Sequence, residues 1–171
     1  MQEVNIIREV DGKSIVLIND IVFKSRKQIN WEIVEERLKQ YVGNCYEIIE
    51  SADKVFIGTD FPDEFSHSND KIKIKGANEK AKANLITAVK EIISVATDRS
   101  ESEDYNGKHG DAAKNGWYKY TTRFGIPVYD NNGELISYNI FSARMLVRRD
   151  VDGKMYLYDF VRTKKEGVQP A

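Results

Sequence analysis

The segment GWYKYTTRFGIPVYDNNGELISYNIFSARMLVRRDVDGKMYLYDFVRTKK, Gly116–Lys165, decides how the chain is read. Its apolar and polar residues alternate with a period of two, the repeat of a half-buried strand. Asn131-Asn132-Gly133 and Asp152-Gly153 interrupt the alternation with residues that accept the positive φ of tight hairpin turns. The pattern predicts strands at about 117–128, 134–149 and 154–164 in a three-stranded antiparallel meander. Pro127 lacks an amide donor, which places the end of its strand at a sheet edge or bulge.

The alternation also sorts the side chains. Tyr118, Tyr120, Phe124, Ile126 and Val128 fall on one side of the first strand, with Lys119, Thr121 and Arg123 on the other. The middle strand separates Phe141, Ala143, Met145 and Val147 from Tyr138, Ser142, Arg144 and Arg148. One face is therefore expected to be core and the other polar and cationic.

Upstream, residues 2–9 and 14–18 flank Asp11-Gly12 and read as a β ribbon or N-terminal arm, 1–19. Asn30 is placed to cap a helix, Ile29 and Val34 to staple it, and Trp31, Val34, Leu38 and Tyr41 to form its apolar stripe before Gly43. Cys45–Ile49 and Lys54–Gly58 read as a hairpin, and 60–68 as irregular loop. A second helix is predicted over Ala77–Ala96, with Ala81, Leu85, Ala88, Val89, Ile92 and Ala96 inward and lysines elsewhere. Residues 98–110 read as a charged connection, with Ser100 and Glu103 able to cap a brief helical turn. The fold class is α+β: two main helices packed on a C-terminal antiparallel sheet, with an N-terminal β ribbon. Residues 20–166 form a single domain and 167–171 a tail.

Composition narrows the classes. With 171 residues, 41% of them hydrophobic, the chain suits one domain with a substantial core. The single Cys45 allows no intrachain disulfide and reads as a small buried apolar residue of a reducing, cytoplasmic compartment. No apolar run is long enough to span a bilayer, so no membrane partner is expected. Charge is unevenly spread: Lys114–Lys165 carries ten Lys or Arg against five Asp or Glu, a net of +5, and the remainder carries −6. This asymmetry points towards an anionic ligand. There is no phosphate-binding glycine loop and no nucleophile elbow.

Arg123, Arg144 and Arg148, with Lys119, Thr121 and Ser142, form a candidate phosphate-binding surface, since guanidinium groups pair with phosphate through two hydrogen bonds. Interleaved tyrosines and tryptophan, Tyr118 and Tyr158 among the candidate substrate contacts, suit stacking of unpaired bases. The alternative is a solvated sheet face that needs no ligand. His109, between Gly107 and Gly110, is a candidate acid or base for RNA cleavage by internal transfer, with the arginines supplying positive charge. Thr163 and Lys164, joined by Lys165, are candidates to complete the anion site. Asp159 is expected to be a partly buried partner for an arginine. His67, with no regular spacing to Asp63 or Glu64, does not make a metal site, and no metal or cofactor is expected.

Several separated stretches also resemble a known family. They are Lys54-Val55-Phe56-Ile57-Gly58 to Phe61-Pro62-Asp63-Glu64-Phe65, Lys75-Gly76-Ala77 through Lys80-Ala81-Lys82-Ala83-Asn84, Lys108-His109, Gly116-Trp117-Tyr118, Arg123-Phe124 with Pro127, and Asp152-Gly153-Lys154 through Tyr156-Leu157-Tyr158-Asp159 to Lys164-Lys165-Glu166. Over about residues 20–166 these resemble the large polyvalent-protein-associated domains of phages and conjugative elements of Gram-positive bacteria. That family is similar to nuclease modules of barnase, EndoU, colicin and RelE type. The resemblance implies an α+β effector or toxin module of a mobile element, acting on RNA without metal, with a cognate immunity or carrier protein as a further partner. It implies His109 as general acid or base, Arg123 and Arg144 as phosphate stabilisers, and Thr163 with Lys164 as a late-strand contribution. The chain departs from EndoU-like enzymes in having no second histidine in the C-terminal sheet. The rival reading is a non-catalytic accessory domain that binds protein or nucleic acid through the same face.

Overall fold

Both tight turns in the C-terminal half form where the glycines place them, with Gly133 at φ 80 and Gly153 at φ 83. Asp130 closes the first turn by accepting from the amides of Asn132 and Glu134. The computed structural model describes residues 5–24, 28–102 and 116–171, the side chains of Lys71 and Ile72 excepted. The three long strands are β6 (Trp117–Tyr129), β7 (Leu135–Arg149) and β8 (Met155–Pro170), where β1 to β5 are the shorter strands introduced below. They pair antiparallel in sequence order, with Phe124 opposite Phe141 and Met145 opposite Phe160. β8 continues beyond the predicted end at 164, so residues 167–170 belong to the sheet.

The N-terminal ribbon, β1 (Ile6–Val10) and β2 (Lys13–Leu17), turns at Asp11 and Gly12. It joins the main sheet: β2 runs parallel to β6, with Val16 opposite Phe124 and Leu17 opposite Gly125. The far strand reaches round to β8, where the Arg8 guanidinium donates to the Pro170 carbonyl at 2.9 Å. Inside this curl Ile15, Leu17, Tyr138 and Ile140 form a second apolar cluster. Gly125 is closely surrounded there: a Cβ at that position would lie 2.9 Å from Leu17 Cδ2 and 3.2 Å from Tyr138 Cβ, so a side chain would force these neighbours to shift. β2 leaves β6 after Gly125, so among the described residues no strand pairs with Pro127 on that side, just before a register shift at Val128/Tyr129.

The first helix, α1 (Trp31–Leu38), begins as its cap predicts, with the Asn30 side chain accepting from the Glu32 amide at 3.1 Å. β3 (Cys45–Glu47) and β4 (Lys54–Phe56) form the expected hairpin, and β4 then pairs parallel with β8. Cys45, expected to be buried, is exposed, because β3 is the outermost strand of the sheet.

The helical layer departs from the prediction in two places. Residues 60–68, read as irregular loop, contain α2 (Phe61–His67), followed by α3 (Asn69–Lys73). Pro62 is tolerated in the first turn, where helix amides have no partner. Phe61 and Phe65 lie one turn apart and both rings pack edge-on or tilted around Phe160. Burial of that aromatic pair overrides a composition that reads as loop.

The single helix predicted over 77–96 is broken into α4 (Ala77–Asn84), a 3-10 turn at Leu85–Thr87, and α5 (Val89–Ser94). The break coincides with two side-chain anchors. Asn84 accepts from the amides of Val22 and Phe23, and Thr87 donates to the Asp20 carbonyl. In place of two principal helices, shorter segments share the work of covering the sheet. The chain is α+β, and its core joins Val34, Leu38, Phe61, Phe65, Val89 and Ile92 to the inward face of β6, β7 and β8.

The start of the stretch 98–110, read as a connection, is strand β5 (Thr97–Ser102), paired antiparallel with β6. Its polar sequence gave no apolar alternation, since the ladder is made by backbone groups on an edge. Among the described residues no helix is long and apolar enough to cross a membrane.

Candidate functional site

Register decides which predicted site residues share a surface, because residues directly opposite in an antiparallel pair project to the same side. Arg123 lies opposite Ser142, Thr121 opposite Arg144, Lys119 opposite Leu146, and Trp117 opposite Arg148. On β8, Lys164 is opposite Ser142 and Tyr156 is opposite Arg148. Lys119, Thr121, Arg123, Ser142, Arg144, Arg148 and Lys164 are thus gathered on one face, opposite the side that sends Tyr120, Phe124, Phe141 and Met145 into the core, and at its Arg148 end this face meets the start of α2. β5 extends this face, with Ser100 opposite Lys119. His109 lies outside the described residues.

The cations differ in how free they are. Arg123 is only 14% exposed and pairs with Glu166 at 3.5 Å, inside a cavity of about 380 Å³ between the ribbon and the end of β8. Arg148 pairs with Asp60 at 3.5 Å and lies over the Tyr156 ring. Arg144 and Lys164 are exposed and Lys119 is half-exposed, and none of the three has a carboxylate partner among the described residues. Ser142 is buried, and Thr163 is buried with its hydroxyl unbonded among the described residues, so the expected late-strand contribution falls to Lys164.

The aromatic contribution is smaller than the sequence suggests. Tyr118 belongs to the core side, where it packs with the main apolar cluster. Trp117 is on the outer side but 7% exposed, held edge-on against Tyr158 at 4.9 Å. Tyr158 is half-buried and hydrogen-bonded to Glu64; burial first, and then that carboxylate, hold its phenol above the usual tyrosine range.

A second polar centre was invisible in the sequence. Lys82 of α4, placed by periodicity among surface lysines, is 0% exposed and donates to Asp70 of α3 at 2.8 Å. It also pairs with Asp159 of β8 at 3.1 Å and sits over the Phe65 ring. Asp159 is therefore the partner of a lysine, correcting the expectation of an arginine. Burial pushes the Asp159 carboxyl up to about 7, against the pull of the Lys82 ammonium. Its Oδ2 has no hydrogen-bond partner among the described residues. The group forms one wall of a cavity of about 500 Å³ that Glu64, His67, Ser68 and Tyr158 also line.

Helix packing makes a third grouping. His67 at the end of α2 meets Glu35 at 2.9 Å and Glu32 at 3.5 Å, both from α1. Spacing to Asp63 and Glu64 gave no sign of it, because the carboxylates come from another helix. Comparison with known family models, with curated proteins and with solved structures finds no match for this chain.

Proposed function

We propose that this chain is a ribonuclease-like effector whose outer sheet face takes single-stranded RNA, with His109 supplying proton transfer in a metal-independent cleavage. The observation that supports this reading is the shared face of Lys119, Arg144 and Lys164, bordered by Arg123 and Arg148, on the side of the strands opposite Tyr120, Phe124, Phe141 and Met145 of the core. Cations in such an array attract a polyanion from solution and pair with successive phosphates. His109 is seven residues from Ser102, the end of β5, and seven from Gly116, just before β6, so in sequence it is tethered between two of the strands that contribute to the face. Cleavage by internal transfer requires a proton acceptor for the 2′-hydroxyl, and an imidazole titrates in the needed range.

A second reading, a non-catalytic accessory domain that binds nucleic acid or an immunity or carrier protein through this face, is favoured by one observation. Arg123 and Arg148, two of the three arginines, already have carboxylate partners. An arginine so neutralised orders the sheet as readily as it stabilises a phosphorane.

Incubation with a mixed-sequence RNA oligonucleotide in excess chelator separates the two. The effector reading expects fragments, with at least a hundredfold loss of cleavage rate in His109→Ala, a magnitude typical of losing general acid–base catalysis. Binding without fragments by the unaltered chain contradicts catalysis and leaves the accessory reading. Absence of both binding and fragments contradicts the two readings together.

A further inference from the structure

We propose that Glu32, Glu35 and His67 form a binding site for a zinc-class divalent transition-metal ion that clamps α1 to α2. The three donors, two carboxylate oxygens and the imidazole Nε2, all lie within 4.8 Å of one another. Nε2 lies 2.9 Å from Glu35 Oε1 and 3.5 Å from Glu32 Oε1. Ligands around a tetrahedral zinc ion, at bonds of about 2.0–2.2 Å, stand roughly 3.3–3.5 Å apart. The donors therefore need shifts of about an ångström or less to surround an ion.

Their positions are fixed from beneath. Glu32 and Glu35 are three residues apart on α1 and share a helix face. Trp31, beside Glu32, packs against Phe65, two residues before His67, with ring centroids 6.3 Å apart. The aromatic contact holds the two helices in register at the point where the donors converge, which lowers the ordering cost of binding.

Charge supplies an independent reason. Two carboxylates converge on one imidazole, and neither has another cation within ion-pair distance among the described residues. A protonated histidine offsets one negative charge, whereas a dication with a neutral imidazole offsets both. There is also room for water ligands. His67 and Glu32 line a cavity of about 450 Å³ at the start of α1, and His67 lines the cavity beside Asp159 on its other side. Three protein donors with accessible space for a fourth ligand match an open zinc site. An imidazole in the set disfavours magnesium, which prefers oxygen donors and dehydrates reluctantly.

Chelator-stripped protein is titrated with zinc chloride by calorimetry, and thermal unfolding is followed with and without zinc. Expected are one saturable site with a dissociation constant in the micromolar range and a raised unfolding midpoint. His67→Ala and Glu35→Gln should each weaken zinc binding at least tenfold, and excess magnesium chloride should not compete. Glu32→Gln decides the matter if either variant folds poorly: at 78% exposure Glu32 has little part in packing, yet its loss should weaken binding severalfold. Zinc binding that is absent, or unchanged in Glu32→Gln and His67→Ala, overturns the proposal and leaves the cluster as a histidine–carboxylate contact between helices.

Discussion

Replacing Lys82 with methionine is expected to lower the stability of the fold by about 3–5 kcal/mol at pH 8, measured by urea unfolding. Methionine fills nearly the same volume, so the loss is electrostatic. Removing the ammonium leaves Asp159, 1% exposed, and the largely buried Asp70 without their shared counter-charge. Breaking one side of a buried ion pair is costly because the remaining charge keeps its desolvation penalty. Asp159 can escape part of that penalty by taking a proton. The loss should accordingly be smaller at pH 5 than at pH 8, and Lys82→Met combined with Asp159→Asn should recover a substantial part of it. An equal loss at both pH values, with no recovery in the double variant, would mean that the lysine acts through its hydrocarbon stem, packed on Phe65.

The second large effect is a pH dependence whose sign follows from the same residue. The Asp159 carboxyl titrates at about 7 in the folded chain, above its ordinary value near 3.8. Between those values the native state holds a proton that the unfolded state has released. Stability contributed by this group therefore falls as pH rises from about 4 to about 7, at up to about 1.4 kcal/mol per pH unit. Other carboxylates act oppositely. Asp53 is buried in part, but hydrogen bonds from Tyr120, Ser51 and Arg99 outweigh burial and hold its carboxyl below the usual range. The informative quantity is thus the difference between the unaltered chain and Asp159→Asn. The amide variant should gain relative stability steadily across pH 4–7 and hold a constant difference above about pH 8. A difference that does not vary with pH would show that Asp159 is ionised throughout.

How much of this could be read beforehand depended on how local the cause was. The turns at Asn131–Gly133 and Asp152–Gly153, the Asn30 cap and the two-residue alternation each act within a few residues. They predicted the meander, the first helix and the sharing of one face by Lys119, Arg144 and Arg148. Elements made by distant contacts were not legible. α2 exists because Phe61 and Phe65 find Phe160, and the break after α4 coincides with Asn84 binding the backbone at Val22 and Phe23. β5 is a polar edge strand whose partner is β6, so its own side chains carry no period. The same limit applied to the site. Lys82 looks like a surface lysine until Asp70 and Asp159 are brought to it, and His67 looks isolated until α1 places Glu32 and Glu35 beside it. Alternation could assign faces but could not say which arginines already had partners.

Binding of single-stranded RNA through its phosphates on the outer face of β6, β7 and β8 is tested by its salt dependence. Fluorescence anisotropy of a labelled, non-cleavable deoxy-substituted oligonucleotide is measured over a range of salt concentrations for the unaltered chain and for Lys119→Glu with Arg144→Glu. Both side chains reach solvent from mid-strand, so folding should be preserved. If each contacts one phosphate, the double variant should bind at least tenfold more weakly and its log–log salt slope should be shallower by about 1.4, near 0.7 for each lost contact on a single strand. Unchanged affinity and slope in a folded double variant would contradict the claim.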